Sequence, residues 1–335
     1  MTLENIEFEM RLEQASLDHY RLDWTPSPDV RLSGMWVPGV VTDRSGRNYL
    51  GLRGFSDFIP GMTHTVSPFC GFRALERSLY DDPPHLYSEY SNHDWFEPLE
   101  YAETDDKVQF TYYSGRVERD EDGCHWHDAD GRWEIHGTTV SKVFVVHVPE
   151  QEGIEREVYY RHELLKAHGT VSGEQVEGYL HQDYCYGPPG LTYTDLPIAR
   201  QLEGMWVSWI HEYLDDEVGG GCFWQGRGGL SFGPGYLLDH GETTAHGDIE
   251  ATLDFNDDQK PVGLHVEIGG QSFDFVLDTM AGPLHYFGQL ERSSSGKQPA
   301  RSWCWVEYAE GMMTPELLDM TSAPFRLVRA GQEMT

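Results

Sequence analysis

Six residues near the start of the chain recur, with one change, half a chain later. Leu32-Ser-Gly-Met-Trp-Val37 returns as Leu202-Glu-Gly-Met-Trp-Val207, an offset of 170 positions in 335. In both copies a turn and a second strand-like run follow at similar distance. A repeat at half the chain length implies two copies of one folding unit in tandem. We therefore expect two domains, residues 1–165 and 166–335.

The unit itself reads as β. Lys107-Val-Gln-Phe-Thr-Tyr-Tyr113 alternates, Asp122-Gly123 and Asp130-Gly131 have the form of hairpin turns, and Phe144-Val-Val-His-Val148 is a compact apolar run. The same punctuation continues through Ala245–Phe255, Gly263–Ile268 and Arg301–Ala309. Thirty-six glycines and 18 prolines leave little room for long helices. Residues between Glu4 and Tyr20 fit a short strand or a short helix. Thr314-Pro-Glu-Leu-Leu, with an N-cap residue followed by proline, predicts a short closing helix. The expected fold class is all-β: two tandem antiparallel barrels or sandwiches and a short C-terminal helix. The proline-broken stretch 56–105 carries Tyr80, Tyr87, Tyr90, Trp95, Phe96 and Tyr101, and predicts an aromatic loop over a pocket mouth or packed on the outside.

Charge and motif content exclude several functions. Fifty-six acidic against 24 basic residues give a net charge of -32, which repels nucleic acid and anionic membrane surfaces. No window has the apolar length that spans a bilayer, and the acidic N-terminus lacks a signal-peptide pattern, so we expect a cytoplasmic protein with no membrane insertion, a monomer or a homodimer. Five scattered cysteines form no Cys-x-x-Cys pair and read as reduced thiols. No Gly-x-Gly-x-x-Gly follows a strand, and no P-loop or Gly-x-Ser-x-Gly elbow occurs; no cofactor is expected. His125-x-His127 with Asp128 lacks a placed third ligand, so no metal is expected either.

The stretch densest in chemistry is Val176-Glu-Gly-Tyr-Leu-His-Gln-Asp-Tyr-Cys-Tyr-Gly187, ended by Pro188-Pro-Gly190. As a strand it presents Leu180, Gln182, Tyr184 and Tyr186 on one face and Tyr179, His181, Asp183 and Cys185 on the other. Tyr184 and Tyr186 on a ligand-facing surface would bind substrate or relay a proton. In the plainer reading the tyrosines pack and Asp183 holds the strand or a turn. Later, Met205, Val207, Trp209, His211 and Tyr213 share one face of another predicted strand. His211 titrates nearer neutrality than a phenol and is the better general base. Trp36, Trp206, Trp209, Trp224, Trp303 and Trp305 either fill a core or line an apolar ligand site.

Gly178-Tyr-Leu-His-Gln-Asp183-Tyr-Cys-Tyr186-Gly187 also resembles the Gly-x-Gly-[His/Tyr]-x-Asp-x-x-Trp-Gly signature of the carotenoid 1,2-hydratase-like proteins, an AttH-like group with two lipocalin-like halves that includes kievitone hydratase and fungal Diels–Alderases. Tyr159–Val171 resembles the strand pair leading into that signature, and Ser302-Trp-Cys-Trp305-Val-Glu307-Tyr308 its closing strand. The resemblance implies two lipocalin-like halves, the second carrying the signature strand. It places the hydratases' functional His at Tyr184, their Trp at Tyr186, and their second Tyr/Asp pair near His211 and Tyr213.

The resulting expectation is an enzyme, a lyase or an isomerase/cyclase, that hydrates, dehydrates, isomerises or cyclises a hydrophobic terpenoid, steroid or polyketide without a cofactor. The alternative is a non-catalytic carrier of such a ligand. Tyr184, Tyr186, His211 and Tyr213 would line one pocket roofed by tryptophans near the junction of the halves. If the faces are inverted, His181 and Asp183 become the catalytic pair.

Overall fold

The computed structural model describes residues 5–56, 69–76, 97–98, 100–112, 115–128, 131, 133–191, 193–281 and 285–308. The predicted closing helix and the tyrosines of the aromatic loop other than Tyr101 lie outside these residues, as do Trp95 and Phe96. Strands dominate, in two antiparallel sheets of 13 and nine strands. The uncertain N-terminal stretch holds both elements considered for it, a strand at Glu9–Glu13 and a 3-10 turn at Leu17–Tyr20.

The repeated hexapeptides sit on equivalent strands. Arg31–Asp43 opens the first sheet and Glu203–Tyr213 the second. Each opening strand pairs on one side with the strand that follows it, Asn48–Ser56 or Val218–Gly226. On the other side each pairs with the last strand of its own sheet, Glu174–Gly187 or Pro299–Tyr308. In both sheets the strand carrying the hexapeptide thus pairs with the sheet's last strand; in the first sheet Glu9–Glu13 and Val143–Val148 pair with each other off the main path. Trp36 stands opposite Asp183 in the first, and Trp206 stands opposite Glu307 in the second.

This register moves the boundary between the halves. The signature strand Glu174–Gly187, expected to open the second half after residue 165, is hydrogen-bonded along its length into the first sheet. The chain crosses to the second sheet between Gly187 and Glu203, through a 3-10 turn at Tyr193–Asp195 and a π-helical turn at Ile198–Leu202. Close strand approach fixes part of this pairing. A Cβ on Gly178 would lie 2.1 Å from the Val40 carbonyl oxygen, so only glycine lets the signature strand dock there.

Three apolar cores result. One lies within the first sheet (Met35, Val37, Trp126, Tyr184, Tyr186), one within the second (Met205, Val207, Trp209, Phe273, Val306), and a third between the sheets (Tyr160, Tyr179, Trp206, Trp224, Trp305). The Met-Trp-Val repeat explains itself here. In both copies Met and Val point into their own sheet's core while Trp points to the shared one. A strand between two cores has no solvent face. Accordingly every residue of Glu203–Tyr213 is buried, and its sequence lacks the polar–apolar alternation of a half-exposed strand such as Gly115–Asp120.

Candidate active site between the sheets

The two-residue turn Ser172-Gly173 carries positive φ at both positions, 51° and 85°, as a tight hairpin with right-handed strand twist requires. It fixes the register of Val158–Val171 against Glu174–Gly187. His162 then stands opposite Asp183, and Arg161 opposite Tyr184. Alternation sends His162, His181 and Asp183 toward the second sheet, and Arg161, Tyr184 and Tyr186 into the first sheet's own core.

His162 and His181 are both fully buried, with ring centroids 5.1 Å apart. Trp206 and Trp305 of the second sheet cover His181 at 4.9 and 5.7 Å. His162 Nδ1 meets the Tyr236 hydroxyl at 2.9 Å. The Trp206 indole N–H donates to the Tyr160 hydroxyl at 2.9 Å, and that hydroxyl donates to Asp183 Oδ2 at 3.5 Å. Tyr179 donates to the Ser208 carbonyl across the junction at 3.2 Å. Among the described residues, both ring nitrogens of His181, Nε2 of His162, Oδ1 of Asp183, Oγ of Ser208 and Nε1 of Trp224 are buried without a hydrogen-bond partner.

Burial sets the charge state of this cluster. It lowers the pKa of His162 to about 3, and holds His181 well below the usual imidazole range, with His162 adding to the effect. It lifts Asp183 well above the usual carboxyl range, with the Glu307 carboxyl adding to the effect. Burial thus favours the uncharged imidazoles and the protonated form of Asp183, each shift opposing the charge the group would carry in water. Glu203 at the cluster's edge behaves like Asp183: burial, then Glu307, pushes it up to about 8 while it accepts the Tyr193 hydroxyl at 2.7 Å.

The predicted site residues divide accordingly. His181 and Asp183 meet in the shared core. Tyr184 and Tyr186 do not join them; they stack on the opposite face, at 6.5 Å, with the Arg161 guanidinium 3.7 Å from the Tyr184 ring. His211 and Tyr213 occupy a third place. The His211 ring packs on Tyr213 at 4.8 Å and Phe273 at 5.9 Å, and the Tyr213 hydroxyl meets Ser293 and Ser295. The expected four-residue pocket is thus corrected: its two pairs lie in separate cores, because each pair faces into its own sheet. Asp183, expected to brace the strand, instead faces the shared core. Of the tryptophans, Trp206, Trp224, Trp303 and Trp305 build the junction and Trp36 packs against it, whereas Trp209 is enclosed by Phe223, Phe273 and Phe275. His162, Tyr160 and Tyr236 were not foreseen; the Ser172-Gly173 turn is the signal that would have placed His162 beside Asp183.

Away from the junction, a surface pocket of about 260 Å³ is lined by Tyr213, Glu217, Asp239, His240 and Lys297 among others. Glu217, Asp239 and His240 are close enough to share a metal ion, but Lys297 already contacts Glu217 at 2.5 Å and His240 contacts it at 2.8 Å.

No family model matches the chain, and no curated protein does. Solved structures do. An AttH-like protein from Nitrosomonas europaea is similar at 11% identity over 86% of this chain and 96% of its own, with a TM-score of 0.44. Kievitone hydratase from Nectria haematococca is similar at 11% identity over 89% and 98%, with a TM-score of 0.41. CghA, solved with Sch210972, is similar at 9% identity over 83% and 88%, with a TM-score of 0.39. At these identities and TM-scores the chemistry has to be argued from this chain's own residues.

Proposed function

We propose that the protein is an enzyme that moves protons on a hydrophobic small molecule held between the two sheets, with Asp183 as general acid and His181 as general base. The observation that carries this reading is the His181 imidazole: fully buried, with neither ring nitrogen bonded to the protein among the described residues. A buried imidazole left in that state costs free energy unless something else completes it. Two groups whose surroundings push their pKa values past each other are an acid and a base ready at the same pH. Asp183 donates its proton to an alkene carbon or a departing hydroxyl. His181 takes a proton from the attacking water or from the substrate's own carbon, and His162, 5.1 Å away, is placed to pass it on. The indole walls suit a polycyclic, isoprenoid or polyketide skeleton.

The test is incubation with a panel of terpenoid, steroid and polyketide alkenes and alcohols. Products are read by mass spectrometry as gain or loss of one water, or as an isomer of altered retention. Asp183→Asn and His181→Gln should each lower turnover by about 10²-fold or more. Wild-type turnover in both variants overturns the assignment. Tight binding by wild type without any product would instead make the protein a carrier.

A further inference from the structure

The other face of the same two strands carries a second set of buried polar groups, which the proposed reaction does not use. Arg161 and Glu163 point into the first sheet's core from one strand, Gln182, Tyr184 and Tyr186 from its partner, and Arg119 from a third. Arg119 and Glu163 form a salt bridge at 2.8 Å with each side chain 1% exposed. Tyr20 bridges them, accepting from Arg119 at 2.6 Å and donating to Glu163 at 2.8 Å. Arg161, also 1% exposed, has no such partner. Its Nη1 donates to the His19 carbonyl. Its Nη2 bonds to nothing among the described residues, and no carboxylate there lies within ion-pair distance of it. Nε and Nη1 of Arg119, Oε1 of Glu163 and Oε1 of Gln182 are likewise unpartnered.

A guanidinium cannot discharge by losing its proton, so two of them beside one carboxylate leave one positive charge buried. The Tyr184, Trp24 and Tyr20 rings, at 3.7, 5.0 and 5.3 Å, offset part of it. The cover over Arg161 is not a strand. It is the short irregular stretch from Ser16 to Trp24, containing the 3-10 turn; Arg161 itself meets it through one hydrogen bond to a neutral carbonyl, while Tyr20, Arg21 and Leu22 anchor it elsewhere, to Arg119 and Glu163, to Thr104 and to Tyr101. A carboxylate is a stronger partner than that carbonyl, because it accepts a guanidinium's two parallel N–H bonds and brings the missing charge.

We infer that the first sheet encloses a second ligand site, separate from the junction, that takes the carboxylate of an otherwise apolar molecule on Arg161 by displacing the His19 carbonyl. One negative charge matches the one in excess, which favours a monocarboxylate over a doubly charged phosphate. The apolar side chains of the same core include Val37, Phe110, Val117 and Leu180.

The experiment uses decanoate and decanol as probes, which share a chain length and differ in the carboxylate. Binding is followed by tryptophan fluorescence and calorimetry on the intact chain. Decanoate should bind wild type at least about 10-fold more tightly than decanol. Arg161→Met, which keeps the stem, should weaken decanoate by about 10- to 100-fold and leave decanol unchanged. Equal binding of the two probes by wild type overturns the inference whether or not Arg161→Met folds. A folded Arg161→Met that binds decanoate like wild type also overturns it, and leaves Arg161 as a brace for the 16–24 cover.

Discussion

The hairpin Val158–Gly187 shows two ways of burying ionisable groups, one on each face, in two strands paired along their length. On the face toward the first sheet's core, Arg119 and Glu163 keep their charges and hold each other at 2.8 Å. On the face toward the second sheet, His162, His181 and Asp183 meet no opposite charge; burial shifts each pKa in the direction that favours its neutral form. The difference follows from the residue types. Arginine has no neutral form within reach and must be given an anion, whereas histidine and aspartate can shed the cost of burial by changing protonation state. The first solution makes an ion pair at Arg119 and Glu163, with Arg161 beside it left without an anion among the described residues. The second makes a set of neutral groups of the kind the proposed reaction uses.

The contrast predicts unequal costs for removing a carboxylate from each face. Glu163→Leu strands the Arg119 guanidinium and should cost about 3–5 kcal/mol in urea unfolding. Asp183→Asn replaces an already neutral group of the same shape and should cost within about 1 kcal/mol. If the two costs are reversed or equal, Asp183 is charged in the folded protein and the contrast fails.

A pH series tests the neutral face directly. An unfolded His162 takes up a proton near pH 6.5, while the folded one refuses it until about pH 3. The unfolded state therefore binds more protons in that window, and stability falls as pH drops through it. Asp183 has the opposite sign: its raised folded pKa contributes stability below the unfolded value of 3.8, which is lost as pH rises above it. His162→Gln removes only the first effect. Its stability relative to wild type should improve on going from pH 7 to pH 4.5, by about 1.4 kcal/mol per pH unit once below 6.5. A difference independent of pH would mean that His162 is not held neutral.

Much of the fold was legible before any coordinates. The Leu32–Val37 and Leu202–Val207 repeat announced two equivalent units, and alternation grouped the side chains correctly: His181 with Asp183, Tyr184 with Tyr186, His211 with Tyr213. Which way each group faced was not legible. A strand such as Glu203–Tyr213 is buried on both sides, so its two faces do not differ in polarity and the pattern carries no sign of inside or out. Aligning the tyrosine and His211 pairs to a family motif put them in one pocket although the sheets turn them apart. The boundary near 165 failed for a related reason. Pairing of Glu174–Gly187 with Arg31–Asp43 joins residues more than 130 positions apart, and local sequence does not encode such a closure. The position of His162 was legible through the Ser172-Gly173 turn, since a two-residue hairpin fixes every pair above it.

The smallest and sharpest test makes the same substitution on the two faces. Tyr20 and Tyr236 are both buried phenols, 2% and 0% exposed, and phenylalanine keeps either ring in place. Tyr20 exchanges hydrogen bonds with two charged groups, Arg119 and Glu163, at 2.6 and 2.8 Å. Tyr236 has the His162 imidazole at 2.9 Å and the Ser141 hydroxyl at 3.5 Å, both uncharged partners. Hydrogen bonds to charged groups contribute about 1.5–3 kcal/mol, and those between neutral groups about 0.5–1.5 kcal/mol. Tyr20→Phe should therefore destabilise by about twice as much as Tyr236→Phe. Pairing each with a change in its partner extends the comparison. Tyr20→Phe with Glu163→Gln should show strong coupling in a double-mutant cycle, whereas Tyr236→Phe with His162→Gln should show weak coupling. Two similar coupling energies would mean that His162 carries charge at the pH of measurement, and the neutral face would then lack the bare imidazole that proton transfer at this site requires.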